Sequence, residues 1–447
     1  MLAFNVEMAH TLRQRLNAND TVAEVYTLHS YGLHLLQEHL PHLNISVSPH
    51  KLYHTVCTLL GRTPDPKEWR QIAREVNQMR HEGIKITENV ERPMTLPVAI
   101  LWAMKENNGV IDQEEQIYRC LCDRLPPVTK YDLVLVDEAQ DLNRSSIEFL
   151  KCCVLSENTV LCVVGDDHQA IYAFRGAMAN SIEEIKMSFR PNCVFLSTCF
   201  RCPQRIAHLA SYLNPLLRRC DHESLGNIIL HRGPVTPVDF ESAIDQRGPL
   251  VVLNRTNASV LSILRQLYTW TGRTDWSKVT RWMSPLVLVQ LDAVQEKLGE
   301  MTLSEAHQTL MNGVEEMGPV DNVIVQVIQV AIEIEGAHNV TVASSSWITF
   351  LLELLRYDRP ESPHLLLCTV HACKGQEYNH VMVIDYNHFG MGVRHTPEEI
   401  QQEQNLLYIA ITRSTEHLVL VQQEKNSSGR RSILLPEEII RHSQTLQ

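Results

Sequence analysis

The segment YDLVLVDEAQD, residues 131–141, decides the fold class of this chain. Its apolar run, residues 133–136, has the length and composition of a buried strand, and acidic and amide side chains follow directly. Open α/β sheets bind ligands outside the carboxyl ends of their strands. Carboxylates there can hold Mg²⁺ through water or accept a proton from an attacking water. The segment therefore indicates phosphate chemistry, and a simple polar loop after a strand is the alternative.

A second apolar run is followed by GDDHQAIYAFRGA, residues 165–177. The amide of Gln169 can both donate and accept a hydrogen bond, which suits a sensor of a γ-phosphate or of its attacking water. Tyr172 and Phe174 alternate with small residues beside Arg175, an arrangement that suits a platform for stacking nucleic-acid bases. On these residues alone, two core aromatics are the simpler interpretation.

Together, these two segments resemble motifs II and III of the UvrD/Rep/PcrA family of superfamily 1 DNA helicases. The resemblance implies an α/β fold with two RecA-like parallel-sheet cores of the P-loop NTPase type and mainly helical insertions. An ordered series of motifs is far more specific than a single match. The other motifs follow in family order: AFNVEMAHTLRQRL at 3–16 (Ia), TLHSYGLHLL at 27–36 (Ib), LSTCFRCP at 196–203 (IV), CTVHACKGQEY at 368–378 (V) and NLLYIAITRSTEHLVL at 405–420 (VI).

The resemblance also implies a domain order. Two insertions separate the motifs and resemble the family's 1B and 2B subdomains. The first contains an amphipathic stretch, residues 69–80, that predicts a helix, and the second contains a predicted capping box of Thr302 and Glu305. The expected parts are a first core (1–37 and 129–187), insertion 1B (38–128), a second core (188–256 and 364–423), insertion 2B (257–363) and a flexible tail (424–447).

By resemblance, the first core supplies the metal ligand and the base of an ATP site. Asp137 would coordinate Mg²⁺, and Glu138 would be the general base. Gln140 would contact the nucleotide, and Gln169 would report the γ-phosphate state to the DNA site.

The second core would close over that nucleotide. Phe200 would stack on adenine in place of the family's usual Tyr, which preserves the stacking face. Arg201 and Arg413 would reach the γ-phosphate, with a surface ion pair as the alternative role for each. Glu377 would contact the ribose.

Single-stranded DNA and duplex junctions are the partners that the resemblance implies. Phe174 stands where the family commonly carries Trp, so base stacking is expected with a smaller ring. The assignment of Asn5 is weaker because Val6 replaces a lysine found in many relatives. The residues expected to contact DNA are Asn5, Thr27, His29, Ser30, Tyr172, Phe174, Arg175, Thr369 and His371.

The family's phosphate-gripping loop, G-x-x-x-x-G-K-[ST], occurs nowhere in the 447 residues. In the family this loop lies just upstream of motif Ia, where this sequence begins. We therefore expect that the first strand, loop and helix were truncated or lost, together with the amides and lysine that hold the β- and γ-phosphates. Two hypotheses stay open. One is an ATP-dependent DNA helicase that moves 3′ to 5′ on single-stranded DNA. The other is a catalytically inactive, helicase-derived DNA-binding or adaptor protein.

Composition restricts the class further. The net charge of -12 argues against a sequence-independent basic coat, but it does not oppose a groove that binds a single strand locally. No apolar run approaches the roughly 20 residues of a membrane span, and no secretory signal is recognisable, so we expect an intracellular protein of the cytoplasm or nucleus. The twelve cysteines are then reduced thiols. A zinc site built from three of these cysteines, Cys199, Cys202 and Cys220, together with His222 is the disfavoured alternative.

Overall fold

A computed structural model describes the chain in two compact units, Met1–Cys193 and Val194–Gln447. Each unit is built on its own parallel sheet. The described residues are 1–3, 6–18, 23–84, 95–107, 109–172, 178, 180–236, 239–240, 242–243, 247–269, 279–281, 301–312, 328–329, 332–333, 365–390, 396–422 and 435–445.

The regular elements alternate as expected of an α/β protein. The strands are β1 (Leu2–Ala3), β2 (Tyr26–Thr27), β3 (Ser46–Val47), β4 (Val110–Ile111), β5 (Leu133–Val136), β6 (Val160–Val163), β7 (Thr198–Cys199), β8 (Arg219–Cys220), β9 (Asn227–Arg232), β10 (Leu250–Asn254), β11 (Val279–Arg281), β12 (Leu365–Thr369), β13 (Tyr378–Val383) and β14 (Ser414–Gln422). The α-helices are α1 (Val6–Ala18), α2 (Leu28–His39), α3 (Lys51–Leu60), α4 (Pro66–His81), α5 (Leu96–Glu106), α6 (Glu115–Asp123), α7 (Arg144–Phe149), α8 (Ser181–Phe189), α9 (Gln204–Leu213), α10 (Asn257–Thr269), α11 (Leu303–Asn312), α12 (Pro397–Ile411) and α13 (Glu437–Gln444).

The sheet of the first unit has the order β2-β1-β5-β6, with every pair parallel. Its core lies on one face, where Val134 and Val136 of β5 pack with buried Tyr31, Leu35 and Phe149. The opposite face of β5 and β6 is more open than the apolar run predicts. Leu133 is 51% exposed and its neighbour across the ladder, Val160, is 62% exposed. The carboxyl ends of β5 and β6 nevertheless lie side by side, which brings motifs II and III together.

Four helices, α3 to α6, form a separate hydrophobic cluster between β2 and β5 in the chain. Two buried ion pairs hold it: Lys51 Nζ lies 2.8 Å from Glu115 Oε1, and Arg80 Nη1 lies 2.8 Å from Asp112 Oδ2. Helix α4 contains the predicted helix at residues 69–80 and begins slightly earlier because the Asp65 carboxylate caps it.

The second unit contains a six-stranded sheet of order β11-β12-β10-β13-β14-β9, again with parallel pairs. Every residue of β10 and β12 is buried, as expected for central strands of a parallel sheet. Helix α12 begins with a capping box of Thr396 and Glu399 and brings Arg413 to the start of β14. Two parallel sheets with helices confirm the predicted α/β class.

The predicted capping box of insertion 2B is also confirmed. The Glu305 amide donates to Thr302 Oγ1 at 3.3 Å, and the Thr302 amide donates to Glu305 Oε2 at 2.9 Å. Most of residues 257–363 lie outside the described ranges. Within those ranges, every helix is too short or too polar to cross a membrane.

Candidate nucleotide site

Glu138, the predicted general base, lies in a strained turn directly after β5. Its backbone adopts φ 53° and ψ 43°, a left-handed conformation that residues other than glycine rarely adopt. The Glu138 amide donates to Asp137 Oδ1 at 2.9 Å, and the next amide, of Ala139, donates to the Val164 carbonyl at 3.0 Å. Such a conformation costs about 1–3 kcal/mol and persists only where the surroundings enforce it. The turn thus holds both carboxylates at the carboxyl edge of the sheet.

Gln140 connects this turn to the end of β6. Its side chain is 1% exposed; Nε2 donates to Glu138 Oε2, and Oε1 accepts the Asp166 amide at 3.0 Å. The approach is close at Gly165, because a Cβ there would lie 2.8 Å from Gln140 Oε1 and would displace the Gln140 side chain. The sequence placed Gln140 among the nucleotide contacts, whereas its amide is occupied by contacts within the protein.

Asp166 is the residue that sequence reasoning missed. Its Oδ2 accepts Gln169 Nε2 at 2.9 Å, and its Oδ1 accepts the His168 amide at 3.0 Å. Burial raises the pKa of Asp166, but the hydrogen bonds from His168 and Gln169 outweigh burial and leave that pKa below its ordinary value. Its position in the loop after β6, three residues beyond Val163, was the available signal.

A hydrogen-bonded series, Glu138–Gln140–Asp166–Gln169, therefore links the two strand ends. We call it the carboxylate–glutamine chain. We expect that displacement of one member reaches the next, because each link is a hydrogen bond within the protein. The series joins the predicted general base, Glu138, to the predicted γ-phosphate sensor, Gln169.

The donor set beside this chain fits Mg²⁺. Magnesium is usually held by one or two carboxylates together with substrate phosphates and water, and half-buried Asp137 offers such a carboxylate. Among the described residues, three potential ligands lie within 4.8 Å of one another at His380, Glu416 and His417, in the second unit. That group is not part of the predicted magnesium site.

The predicted second-core contacts Phe200 and Arg201 follow β7. The ring of Phe200 is 69% exposed, which leaves a face for stacking. Arg201 Nε donates to Glu377 Oε1 at 2.6 Å, with side chains 36% and 47% exposed. The ion pair joins two residues that the sequence predicts to contact the same nucleotide. Motifs IV and V therefore lie together in the second unit.

Arg413 is less accessible than its predicted role suggests. It is 1% exposed, and its guanidinium donates to the carbonyls of Gln376 at 2.9 Å and Ile409 at 3.1 Å. Burial lowers the pKa of Arg413, and the nearby charge of Arg201 lowers it further. The two guanidinium groups thus lie within electrostatic reach of each other, and Arg413 fixes the loop that carries Glu377.

The residues predicted to contact DNA differ in burial and in hydrogen-bond partners. Thr27 and Ser30 cap α2 reciprocally, with the Ser30 amide 3.0 Å from Thr27 Oγ1 and the Thr27 amide 2.8 Å from Ser30 Oγ. Burial lowers the pKa of His29, so its imidazole is neutral at pH 7. Thr369 is buried and its Oγ1 accepts the Ala372 amide at 3.3 Å. Tyr172 and His371 are half-buried, and Asn5, Phe174 and Arg175 lie outside the described residues.

Two parallel-sheet units, the first with carboxylates after its strand β5, place the chain in the class of two-domain α/β proteins. Two family models then match the chain. The UvrD/REP helicase N-terminal domain matches residues 126–190, and the UvrD-like helicase C-terminal domain matches residues 364–421. These ranges contain motifs II, III, V and VI. The matches confirm the predicted resemblance: both halves of the chain carry UvrD/Rep/PcrA-like helicase sequence.

Individual relatives agree with these models. A probable DNA helicase II homolog of Mycoplasma genitalium is 36% identical over 87 residues, which are 19% of this chain and 12% of the relative. The ATP-dependent DNA helicase PcrA of Staphylococcus aureus is 33% identical over 97 residues, covering 20% of this chain and 13% of the relative. The Gabija protein GajB of Bacillus cereus is 24% identical over 347 residues, which cover 69% of this chain and 67% of the relative. The chain thus spans a small part of the first two relatives.

Proposed function

We propose that this chain is part of an ATP-dependent motor that moves 3′ to 5′ along single-stranded DNA and separates duplexes, inside the cytoplasm or nucleus. The carboxylate–glutamine chain is the observation that carries the proposal. A protein that only binds DNA has no need for a strained carboxylate coupled through Gln140 and Asp166 to a glutamine sensor.

The first unit would prepare the attacking water. Asp137 would hold Mg²⁺, whose charge polarises the γ-phosphate when bound. Glu138 would accept a proton from the attacking water, and Gln140 keeps one Glu138 oxygen aimed by donating to it. Gln169, held by Asp166, would pass the state of the phosphate towards the DNA-contacting segment that begins at Tyr172 in the sequence.

The second unit would neutralise charge on the transferred phosphate. Arg201 already binds a carboxylate, that of Glu377, at 2.6 Å. A phosphate oxygen can take the same position relative to the guanidinium, which leaves Glu377 able to accept from a ribose hydroxyl. Phe200 would stack on the base, while Arg413 would act largely by positioning the Glu377 loop. Exchange of Arg201 between two anions offers a way to couple nucleotide binding to rearrangement of this unit.

A second candidate is a helicase-derived DNA-binding or adaptor protein without ATP turnover. The absence of G-x-x-x-x-G-K-[ST] from the 447 residues favours it, since that motif supplies the amides and lysine for the β- and γ-phosphates. Both candidates require DNA binding. They differ in whether Mg²⁺ and ATP bind.

Equilibrium titration of the 447-residue chain with a fluorescent ATP analogue distinguishes them. The motor proposal predicts Mg²⁺-dependent binding that is strengthened by single-stranded DNA and weakened by Asp137→Asn or Phe200→Ala. Glu148→Gln is the matched control, because that carboxylate pairs with Lys151 on the surface. DNA binding with no detectable nucleotide binding, in the wild-type chain at millimolar nucleotide, would support the adaptor instead.

A further inference from the structure

Two cysteines flank the predicted nucleotide contacts in the segment CFRC, residues 199–202. Cys199 is the half-buried last residue of β7, and Cys202 is 1% exposed just before α9. Pro203 caps α9, so the pair lies between the end of a strand and the start of a helix. This C-x-x-C spacing is the one at which two thiols can form a short intramolecular disulfide.

The surroundings make the two thiols chemically different. The pKa of Cys199 is lowered to about 5, and side-chain hydrogen bonding with Cys202 is the largest cause. The backbone amides of Cys202 and Arg201 and the charge of Arg201 lower this pKa further, whereas burial raises it. The Cys202 amide lies 3.3 Å from Cys199 Sγ. Hydrogen bonding to Cys199 and burial together raise the pKa of Cys202. These shifts favour the thiolate form of Cys199 and the protonated form of Cys202, whose Sγ also lies 3.7 Å from the Thr412 carbonyl oxygen.

A third thiol lies nearby and provides an internal comparison. Cys220 is paired with Cys199 across the parallel ladder of β7 and β8. Its Sγ donates to the Cys202 carbonyl at 3.2 Å, and burial raises its pKa. Proximity alone therefore does not activate a thiol at this site. The amide and thiol donors around Cys199 do.

We propose that Cys199 is a thiol-modification site that reacts with hydrogen peroxide, and that Cys202 then closes a Cys199–Cys202 disulfide. This chemistry goes beyond the proposed motor function. A zinc site is the competing reading of these cysteines. Among the described residues, the set of three ligand atoms within 4.8 Å of one another contains no cysteine, which favours thiol chemistry.

The reaction balances with hydrogen peroxide as the oxidant. The Cys199 thiolate attacks the distal peroxide oxygen, an S–O bond forms, the O–O bond breaks, and the leaving hydroxide takes a proton to become water. The Cys202 sulfur then attacks the Cys199 sulfenic acid. An S–S bond forms, and the displaced hydroxyl leaves as water with the proton of Cys202. The two sulfurs lose two electrons in total, and the peroxide gains them.

The disulfide would also reach the proposed nucleotide site. It would close a four-residue loop around Phe200 and Arg201, whose guanidinium pairs with Glu377 at 2.6 Å. Oxidation would also remove the negative charge of the Cys199 thiolate beside Arg201. This consequence, but not the modification itself, rests on the proposed function. Oxidation is expected to weaken binding of a fluorescent ATP analogue, and reduction with a dithiol is expected to restore it.

The first experiment measures the alkylation rate of Cys199 by peptide mass spectrometry between pH 6 and pH 8. A thiol of pKa about 5 gains only about 1.1-fold in thiolate over this range, whereas an unperturbed thiol of pKa about 8.5 gains about 75-fold. The exposed thiols Cys152 and Cys193 are measured in the same sample. A 75-fold rise at Cys199 would overturn the proposal.

The second experiment treats the reduced chain with hydrogen peroxide and maps disulfides. We expect a Cys199–Cys202 linkage in the wild type and in Cys220→Ser. Cys202→Ser keeps a hydroxyl donor to Cys199, so it should accumulate a Cys199 sulfenic acid that dimedone traps. Absence of both products, in chains whose circular dichroism matches the wild type, would refute the site. A disulfide that forms in a chain unable to bind nucleotide would instead refute the motor and leave the site standing.

Discussion

Replacing Gln140 by Leu tests the coupling between motifs II and III. The side chain is 1% exposed and makes two hydrogen bonds, one to the Glu138 carboxylate and one from the Asp166 amide. A hydrogen bond to a charged group contributes about 1.5–3 kcal/mol and a neutral one about 0.5–1.5 kcal/mol. Leucine approximates the volume but makes neither hydrogen bond, so the Glu138 carboxylate and the Asp166 amide each lose a partner. The expected loss is therefore about 2–4.5 kcal/mol, concentrated at the ends of β5 and β6.

Hydrogen exchange followed by mass spectrometry measures this loss locally. Where amides exchange through local opening, 1.4 kcal/mol is a tenfold change, so protection of peptides covering residues 133–142 and 160–170 should fall by about 30- to 2,000-fold. The matched control is Gln71→Leu, which removes an exposed Gln71–Glu75 bond of 3.0 Å on α4. Its effect should stay below about 0.5 kcal/mol.

Gln140→Glu distinguishes the effect of the hydrogen bond to Glu138 from that of the hydrogen bond from the Asp166 amide. The carboxylate keeps an acceptor for the Asp166 amide but loses the donor to Glu138 and adds a like charge beside it. Residues 160–170 should then stay better protected than in Gln140→Leu, while the Glu138 turn opens. Unchanged exchange at residues 160–170 in Gln140→Leu would show that the two strand ends are not coupled through this side chain, and the carboxylate–glutamine chain would lose its proposed role.

Three further outcomes follow from the described contacts. Glu138→Gly should relieve the left-handed strain and protect the turn by up to about 1–3 kcal/mol relative to Glu138→Ala, which also loses the hydrogen bond from Gln140, and equal protection of the two variants in the same exchange assay would show no strain. Lys51→Met leaves a buried Glu115 carboxylate unpaired and should destabilise α3 to α6 by about 3–5 kcal/mol in urea unfolding, whereas Lys51→Met with Glu115→Leu should recover most of that loss. Burial and neighbouring positive charge lower the pKa values of His380 and His417, so their neutral forms stabilise the second unit above about pH 6.5 and that stability is lost as the pH falls through the folded pKa values. Unfolding at pH 5.5 and 7.5 should therefore differ more in the wild type than in His380→Gln with His417→Gln, and an equal difference would contradict the assignment.

The fold could be predicted from sequence because its signals are local. The apolar run at residues 133–136 coincides with β5, since four hydrophobic residues bounded by polar ones leave little choice of element. Thr302 and Glu305 likewise form the cap that their spacing predicts. The solvent accessibility of a side chain, in contrast, depends on residues that are distant in the sequence. A motif names Arg413 but cannot reveal that its buried guanidinium donates to the carbonyl of Gln376, 37 residues away in the chain.

Roles that depend on three-dimensional neighbours were missed for the same reason. Asp166 reads as one acidic residue of a polar loop until Gln140 and Gln169 are seen on either side of it. Thr27, predicted to contact DNA phosphate, also caps α2, a function that competes for the same hydroxyl. The reactivity of Cys199 arises from donors that become neighbours only in the fold. Sequence therefore supplied residue types at the strand ends, and the structure supplied their partners.

ATP binding is the central requirement of the proposed function, and titration of the 447-residue chain with nucleotide, with and without single-stranded DNA, tests it most directly. Calorimetric titration with Mg²⁺ and a non-hydrolysable ATP analogue avoids any label. We predict that the ATP analogue binds only with Mg²⁺ and that single-stranded DNA strengthens this binding. Arg201→Ala should weaken it, and Glu148→Gln should leave it unchanged. A chain that binds single-stranded DNA but gives no heat with the analogue, with or without Mg²⁺, would contradict the nucleotide site.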